Sequence, residues 1–155
     1  MRLNNLAFKV LDYDGRTPYQ RKRWPMPDTE HNKPGRWTRE LPLKRRPLML
    51  CARGYHMCRW QDLFRYANHD GYRVFLAEYR GEVLEYKGDN KFCAQSARLV
   101  CELFEYPIFS NDYSPYDYYG TTAEIIARQR VATVKWLRMQ GIFTVNRDAK
   151  GRFAK

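Results

Sequence analysis

Cys51-Ala52-Arg53-Gly54-Tyr55-His56-Met57-Cys58 is the stretch on which the fold turns, because the hydrophobic period changes across it. Upstream, Leu48-Met49-Leu50-Cys51 is a continuous apolar run of the kind that fills a buried strand, and Gly54 ends it. Downstream, Trp60, Leu63, Phe64 and Ala67 recur at i, i+3, i+4 and i+7, which is one face of a helix, so residues 59–68 are predicted to be a short amphipathic helix stopped by Asp70-Gly71.

Strand signals lie on either side of this block. Leu6-Ala7-Phe8-Lys9-Val10-Leu11 predicts a strand closed by the turn residues Asp12-Tyr13-Asp14-Gly15. Residues 72–79 are rich in aromatic and aliphatic side chains, and Gly81 is expected to turn the chain tightly into Glu82-Val83-Leu84-Glu85-Tyr86 as a hairpin. Gly88-Asp89-Asn90 predicts another turn. In 91–104 the apolar positions fit neither period, and strand is expected in the second half. Residues 107–120 hold four tyrosines and no Lys or Arg, and predict a loop.

Thr121-Thr122-Ala123-Glu124 has the form of a capping box, so a long helix is expected over about 122–140, with Gly141 as its stop. Ala123, Ala127, Val131, Val134 and Leu137 form its expected apolar face. Together these elements predict an α+β fold: a small, mostly antiparallel sheet, a short helix after Cys58 and a long C-terminal helix. The chain has 155 residues, 44% of them hydrophobic, which suits a single domain over 1–145 with its own core. Residues 146–155 read as a flexible basic tail.

Charge narrows the partners. The formal net charge is +11, and 16–46 holds ten Lys/Arg against Asp28, Glu30 and Glu40. Five prolines break that stretch, so it is expected to be an irregular basic loop region. Within it Arg21, Lys22, Arg23 and Trp24, then Arg36 and Trp37, then Lys44, Arg45 and Arg46 interleave cations with aromatics. Cations neutralise phosphates and an aromatic plane stacks on an unpaired base, so these nine residues are the expected contacts to nucleic acid or to an acidic protein. No helix-turn-helix, zinc-finger or RNP signature accompanies them. No apolar run is long enough to span a bilayer and the start lacks a signal-peptide pattern, which predicts a cytoplasmic protein, or a virion-associated one if viral, with no membrane partner. Oligomeric state has no signature in the sequence.

Three constellations could carry chemistry. Cys51, His56, Cys58, Cys93 and Cys101 could hold zinc, but spacings of Cys-x₆-Cys and Cys-x₇-Cys make poor knuckles, so buried free thiols and no metal are expected. A thiolate at Cys51 or Cys58 could draw on His56, Arg53 and Arg59 for activation, although no group to orient the imidazole is apparent. Asp70 with Glu85-Tyr86-Lys87 could bind Mg²⁺ as a nuclease does; solvated hairpin charges explain the same residues.

The order Phe8-Lys9-Val10-Leu11, Trp24, Pro34-Gly35-Arg36-Trp37, the block Cys51 to Cys58, Trp60, Glu78, Gly81-Glu82 and Ala97-Arg98-Leu99 resembles a family of bacteriophage and actinobacterial domains of unassigned activity. Its most specific part is Cys-x-x-Gly-aromatic-His-x-Cys, and the resemblance covers roughly residues 6–104. Together with a tail similar to those of phage-encoded proteins, it implies a viral accessory protein without catalytic activity that acts through its basic surface. Gly54-Tyr55, Tyr66-Ala67 and the segment 72–84 are also similar in outline to the NAD-binding half of ADP-ribosyltransferases. That likeness implies, as the alternative, a ligand cleft at Arg53, Tyr55 and His56 with NAD as cofactor; a zinc-stabilised interaction module is the second alternative.

Overall fold

A computed structural model describes residues 5–43, 54–67, 71–85, 91–107 and 122–142. Strands β1 (Leu6–Leu11), β2 (Tyr55–Cys58), β3 (Arg73–Glu85) and β4 (Lys91–Leu103) pair antiparallel in the cyclic order β1-β2-β4-β3 and close a barrel. A 3-10 turn (Trp60–Asp62) leads into α1 (Leu63–Tyr66), and α2 (Thr122–Met139) lies outside the barrel. The α+β class, the short helix after Cys58 and the long terminal helix are as the sequence predicts. The expected strand at 48–51, the turn at 88–90 and the loop at 108–120 fall outside the described residues, as does the tail.

The barrel closes because its two long strands bend. β3 and β4 are 13 residues each, and one half of the pair works with β1 while the other half works with β2. Leu6 to Leu11 pair with Glu78 back to Arg73, whereas Tyr55 to Cys58 pair with Ala94 back to Lys91. Between those halves the β3–β4 register shifts at Arg80/Val83, where Gly81 and Glu82 face Gln95. This is a β-bulge, and bulges bend and twist a strand. Gly81 has φ +83°, and a Cβ there would lie 2.7 Å from Gln95 Oε1. That oxygen accepts the Glu82 N–H at 2.8 Å.

The expected hairpin turn at Gly81 is therefore corrected: β3 runs straight through it. Strand also occupies all of 91–103 and not only its second half. The sequence confused the two because a glycine with positive φ serves a turn and a bulge equally well.

Alternate residues of every strand face inward. Ala7, Ala77, Ala94 and Ala97 leave room in a narrow four-stranded barrel for Phe75, Phe92 and Tyr79, and Tyr79 meets Phe92 edge to face at 5.0 Å. The outward set, including Phe8, Val10, Val74 and Leu76, is covered by Leu63 and Ala67 of α1 and by Trp136 and Leu137 of α2. Arg98 pairs with the buried Glu78 directly opposite, and Arg73 forks onto Glu102 with two 2.7 Å bonds. The Arg98–Glu78 pair crosses the β3–β4 ladder on its outer face, whereas Arg73 and Glu102 lie on the same side as the inward Phe75.

The packed face of α2 differs from the expected one. Gln129, Thr133, Trp136 and Leu137 are buried, while Ala123 and Ala127 are exposed and Val131 is 70% exposed. The reason lies in what α2 meets. The chain leaving β4 at 104–107 presents bare carbonyls, and Trp136 Nε1 and Gln140 Nε2 donate to Phe104 O while Gln129 Nε2 donates to Pro107 O. Tyr106 packs edge-on against Trp136 at 4.8 Å, and its hydroxyl meets Thr133 Oγ1 at 2.9 Å. Carbonyls that a helix packs over need donors, so polar residues took several of the inward positions. The helix ends at Gly141 as expected, with Ile142 N–H reaching back to Leu137 O.

The basic stretch contains no helix or strand over its described part, 16–43, yet its backbone is tied down at both ends. Arg16 and Arg23 form an antiparallel bridge that closes a small loop. Further on, 35–41 runs beside β4, with Gly35, Thr38 and Leu41 N–H donating to Leu99, Ala97 and Gln95 O. Those carbonyls are next along β4 from the residues that pair with β2, so β2 and this strap share one strand edge. Thr38 fastens the strap: its Oγ1 accepts the Ala97 N–H at 3.0 Å and its carbonyl accepts Ser96 Oγ at 2.8 Å.

Candidate nucleic-acid interface

β1 and β2 touch at one register pair, Phe8 with Cys58, and then diverge. Gly54, at φ +117°, brings the chain into β2; a Cβ at that position would lie 2.8 Å from Leu43 Cδ2 and 3.1 Å from Cys93 Sγ. Where the two strands part, the loop 17–24 folds over the opening and leaves a cavity of about 560 Å³, adjoined by a smaller hollow of about 210 Å³. The two share Lys9, Pro18, Tyr19, His56 and Lys91 in their walls. The larger volume falls in the range of about 300–1,000 Å³ usual for ligand cavities.

Its chemistry is one-sided. Lys22 and Arg23 from the loop, Lys9 from β1 and Lys91 from β4 line the larger space, and Arg65 lines the smaller. No Asp or Glu is among the described residues lining either. Tyr19 stands at the rim, 94% exposed. The loop is held in shape by its own backbone: Thr17 N–H donates to Lys22 O, Arg21 N–H to Thr17 O, and Lys22 N–H to Thr17 Oγ1.

Lys9 is the unusual residue. It alternates with Ala7 and Leu11, both of which face the barrel interior, and it is 9% exposed. Its Nζ donates to His56 O at 2.8 Å and lies 4.7 Å from the centre of the Trp24 ring. No carboxylate among the described residues compensates it. Burial pulls its pKa down from the ordinary 10.5 to about 8; the Cys58 thiol opposes that shift and Lys91 adds to it.

A lowered lysine pKa means that the unfolded chain holds the extra proton between pH 8 and 10.5, so stability rises with pH across that window. Below pH 8 the penalty of burying the charge is fully present. Lys9→Met has no such proton. It is expected to be more stable than the wild type at pH 7, by up to a few kcal/mol, with the gap closing as pH rises from 8 to 10.5 in urea unfolding. A gap that does not change with pH would contradict a buried charge at Lys9.

The residues expected from the sequence divide into groups. Lys22, Arg23, Tyr55 and His56 meet at this cavity. Arg21 does not serve it, because its guanidinium is spent on Asp12, at 2.6 Å, and on Asp14. Trp24 lines the cavity but is no stacking platform: it is 6% exposed, packed with the inner barrel residues and set edge-on to Tyr55 at 5.3 Å. Tyr55 in turn donates its hydroxyl to Arg39 O. Arg36 and Trp37 lie on the strap away from the cavity walls, with Arg80 and Arg98 at 4.2 and 4.9 Å from the centre of the Trp37 ring. Lys44, Arg45, Arg46 and Arg53 fall outside the described residues.

Lys9, Tyr19 and Lys91 were not expected. A lysine at an inward position of an otherwise apolar strand was the available signal for the first; the others become neighbours only when β4 closes on β2.

The alternative chemistries find less support. Cys58 is buried, donates to Phe8 O, and has its thiol pushed up to about 12 by burial, the reverse of what a nucleophile requires. The buried free thiol expected at Cys58 is what the structure shows, and the catalytic alternative there is not supported; Cys51 is outside the described residues. Among the described residues no three His, Cys, Asp or Glu side chains are grouped to hold a metal. Glu85 is paired with Arg59, and its expected partners Asp70, Tyr86 and Lys87 are not described. No described helix is long and apolar enough to cross a membrane. Comparison of the chain with protein-family models, with curated proteins and with solved structures finds no match.

Proposed function

We propose that the protein binds single-stranded nucleic acid along the cleft between loop 17–24 and the β1–β2 opening. The observation that carries this reading is the set of four cations, Lys9, Lys22, Arg23 and Lys91, around a cavity with no carboxylate among its described lining residues. Such a field draws phosphates, and it is focused by the low-dielectric walls around it. Tyr19 at the rim offers a face on which a base can stack, and stacking tolerates any sequence. The loop overhanging the cavity leaves no broad face for a duplex, which favours a single strand. The binding is non-enzymatic, as befits the accessory role that the likeness to phage domains implies. NAD, to which the second likeness points, carries phosphates into the same cations and belongs in the same titration.

Fluorescence anisotropy with a short labelled oligothymidylate tests this. Three phosphate contacts, from Lys22, Arg23 and Lys91, predict a slope of log K against log salt of roughly −2, from about −0.7 per contact for single strands. Tighter binding of duplex or of NAD would redirect the reading. Affinity for an acidic peptide alone would favour a protein partner, and no affinity for any of these at ~20 mM salt would refute it.

A further inference from the structure

Lys9 needs a reason beyond the general charge of the cleft. The other cations sit on its walls and keep contact with water, whereas Lys9 projects toward the barrel interior beneath Trp24 and loop 17–24. An ammonium has three donors, and the described residues supply a single acceptor, the His56 carbonyl, at 2.8 Å. The Trp24 ring covers a second side. A buried cation without a counter-charge is costly, and a methionine of nearly the same shape would fill the space without that cost. Among the described residues, Lys91 is the other charged side chain that acts on it, and as a cation it works against it. The floor of the cavity thus holds an ammonium with donors unused among the described residues and a positive neighbour, and it faces both hollows.

We propose that Lys9 receives a terminal phosphate, so that the cleft selects nucleic-acid strands ending in a phosphomonoester over strands ending in a hydroxyl. The inference rests on the nucleic-acid reading above and names the part of the strand that enters. An internal phosphodiester continues in both directions and would have to carry sugars down both sides to reach the floor. A terminal phosphate enters alone. It also carries close to two negative charges at neutral pH, since its second pKa is about 6, where a diester carries one. Two charges match a site in which Lys9 and Lys91 lie together with no carboxylate among the described lining residues. The wall cations Lys22 and Arg23 then hold the following phosphates.

The plain structural alternative is that Lys9 only ties β1 to β2 through the His56 carbonyl. The two roles separate in one measurement. Wild-type protein is titrated with 10-mer oligothymidylates identical except for a 5′-phosphate, a 3′-phosphate or hydroxyls at both ends. One charge-assisted contact more predicts roughly tenfold to hundredfold tighter binding of one phosphorylated form. Lys9→Met is expected to bring that ratio to about one while the hydroxyl-ended strand still binds and the variant remains folded by circular dichroism. Equal affinity of the wild type for all three strands overturns the inference and leaves the nucleic-acid reading standing. Binding of none overturns both. A preference that survives in Lys9→Met assigns the terminal phosphate to other cations and likewise overturns the role of Lys9.

Discussion

Trp24→Ala is expected to destabilise the protein by about 3–5 kcal/mol, the range for deleting a buried tryptophan from a well-packed core. Among the described residues of the basic stretch, Trp24 alone joins the inner-barrel cluster, and it plugs the opening that β1 and β2 leave. Removing it strips Tyr55 of its edge contact and Lys9 of the ring over its ammonium. Water would enter beside Lys9, so the pKa of that group should climb from about 8 back toward 10.5. Urea unfolding monitored by circular dichroism measures the loss. If Trp24 instead stacked on bases, stability would hardly change and affinity for single strands would collapse. That result would sink the account of it as a plug.

The largest effect on binding is expected from Lys22→Ala, Arg23→Ala and Lys91→Ala combined. Hydrogen bonds to charged groups contribute about 1.5–3 kcal/mol each when fully formed. Wet wall cations should deliver the low end of that range or less, so affinity should fall by about two to three orders of magnitude. The salt slope should shrink by about 2, at roughly 0.7 for each phosphate that is no longer neutralised. Stability should move little, since Lys22 and Arg23 are exposed and form no ion pair among the described residues. The matching control is Arg36→Ala with Arg39→Ala. It removes two exposed cations of the strap that line neither hollow, and it is expected to leave both affinity and slope close to wild type. Equal losses from the two sets would mean that binding follows the overall field and not the cleft.

Sequence and structure agree wherever local chemistry suffices. The 3.6-residue spacing of Trp60, Leu63, Phe64 and Ala67 predicted a helix, and Leu63 and Ala67 are the residues that a 3-10 turn and α1 bury. Thr122 to Met139 is helical between a capping signal and Gly141 for the same reason. Disagreement begins where a residue answers to a distant partner. Gly81 is a bulge because Gln95 faces it across the ladder. The face of α2 is chosen by the carbonyls of Phe104 and Pro107, so an apolar count along the helix finds the wrong stripe.

The same division runs through the candidate site. An excess of cations in 16–46 is a property of composition, and any reading of the chain finds it. Which of them remain available is not. Arg21 is consumed by two turn aspartates, Trp24 is drawn inside, and Lys22 and Arg23 are left facing the cavity.

The α+β class, the existence of most elements and the basic character of the surface are written in the chain itself, because short-range periodicity, turn chemistry and charge are local properties. That the sheet closes on itself is not written there. Closure depends on bulges, and on β1 and β2 finding opposite halves of a bent β3–β4 pair. It is the fold that carries Lys9, His56 and Lys91, far apart along the chain, to one cavity, and that turns a lysine in an ordinary strand into a cation buried beneath a tryptophan.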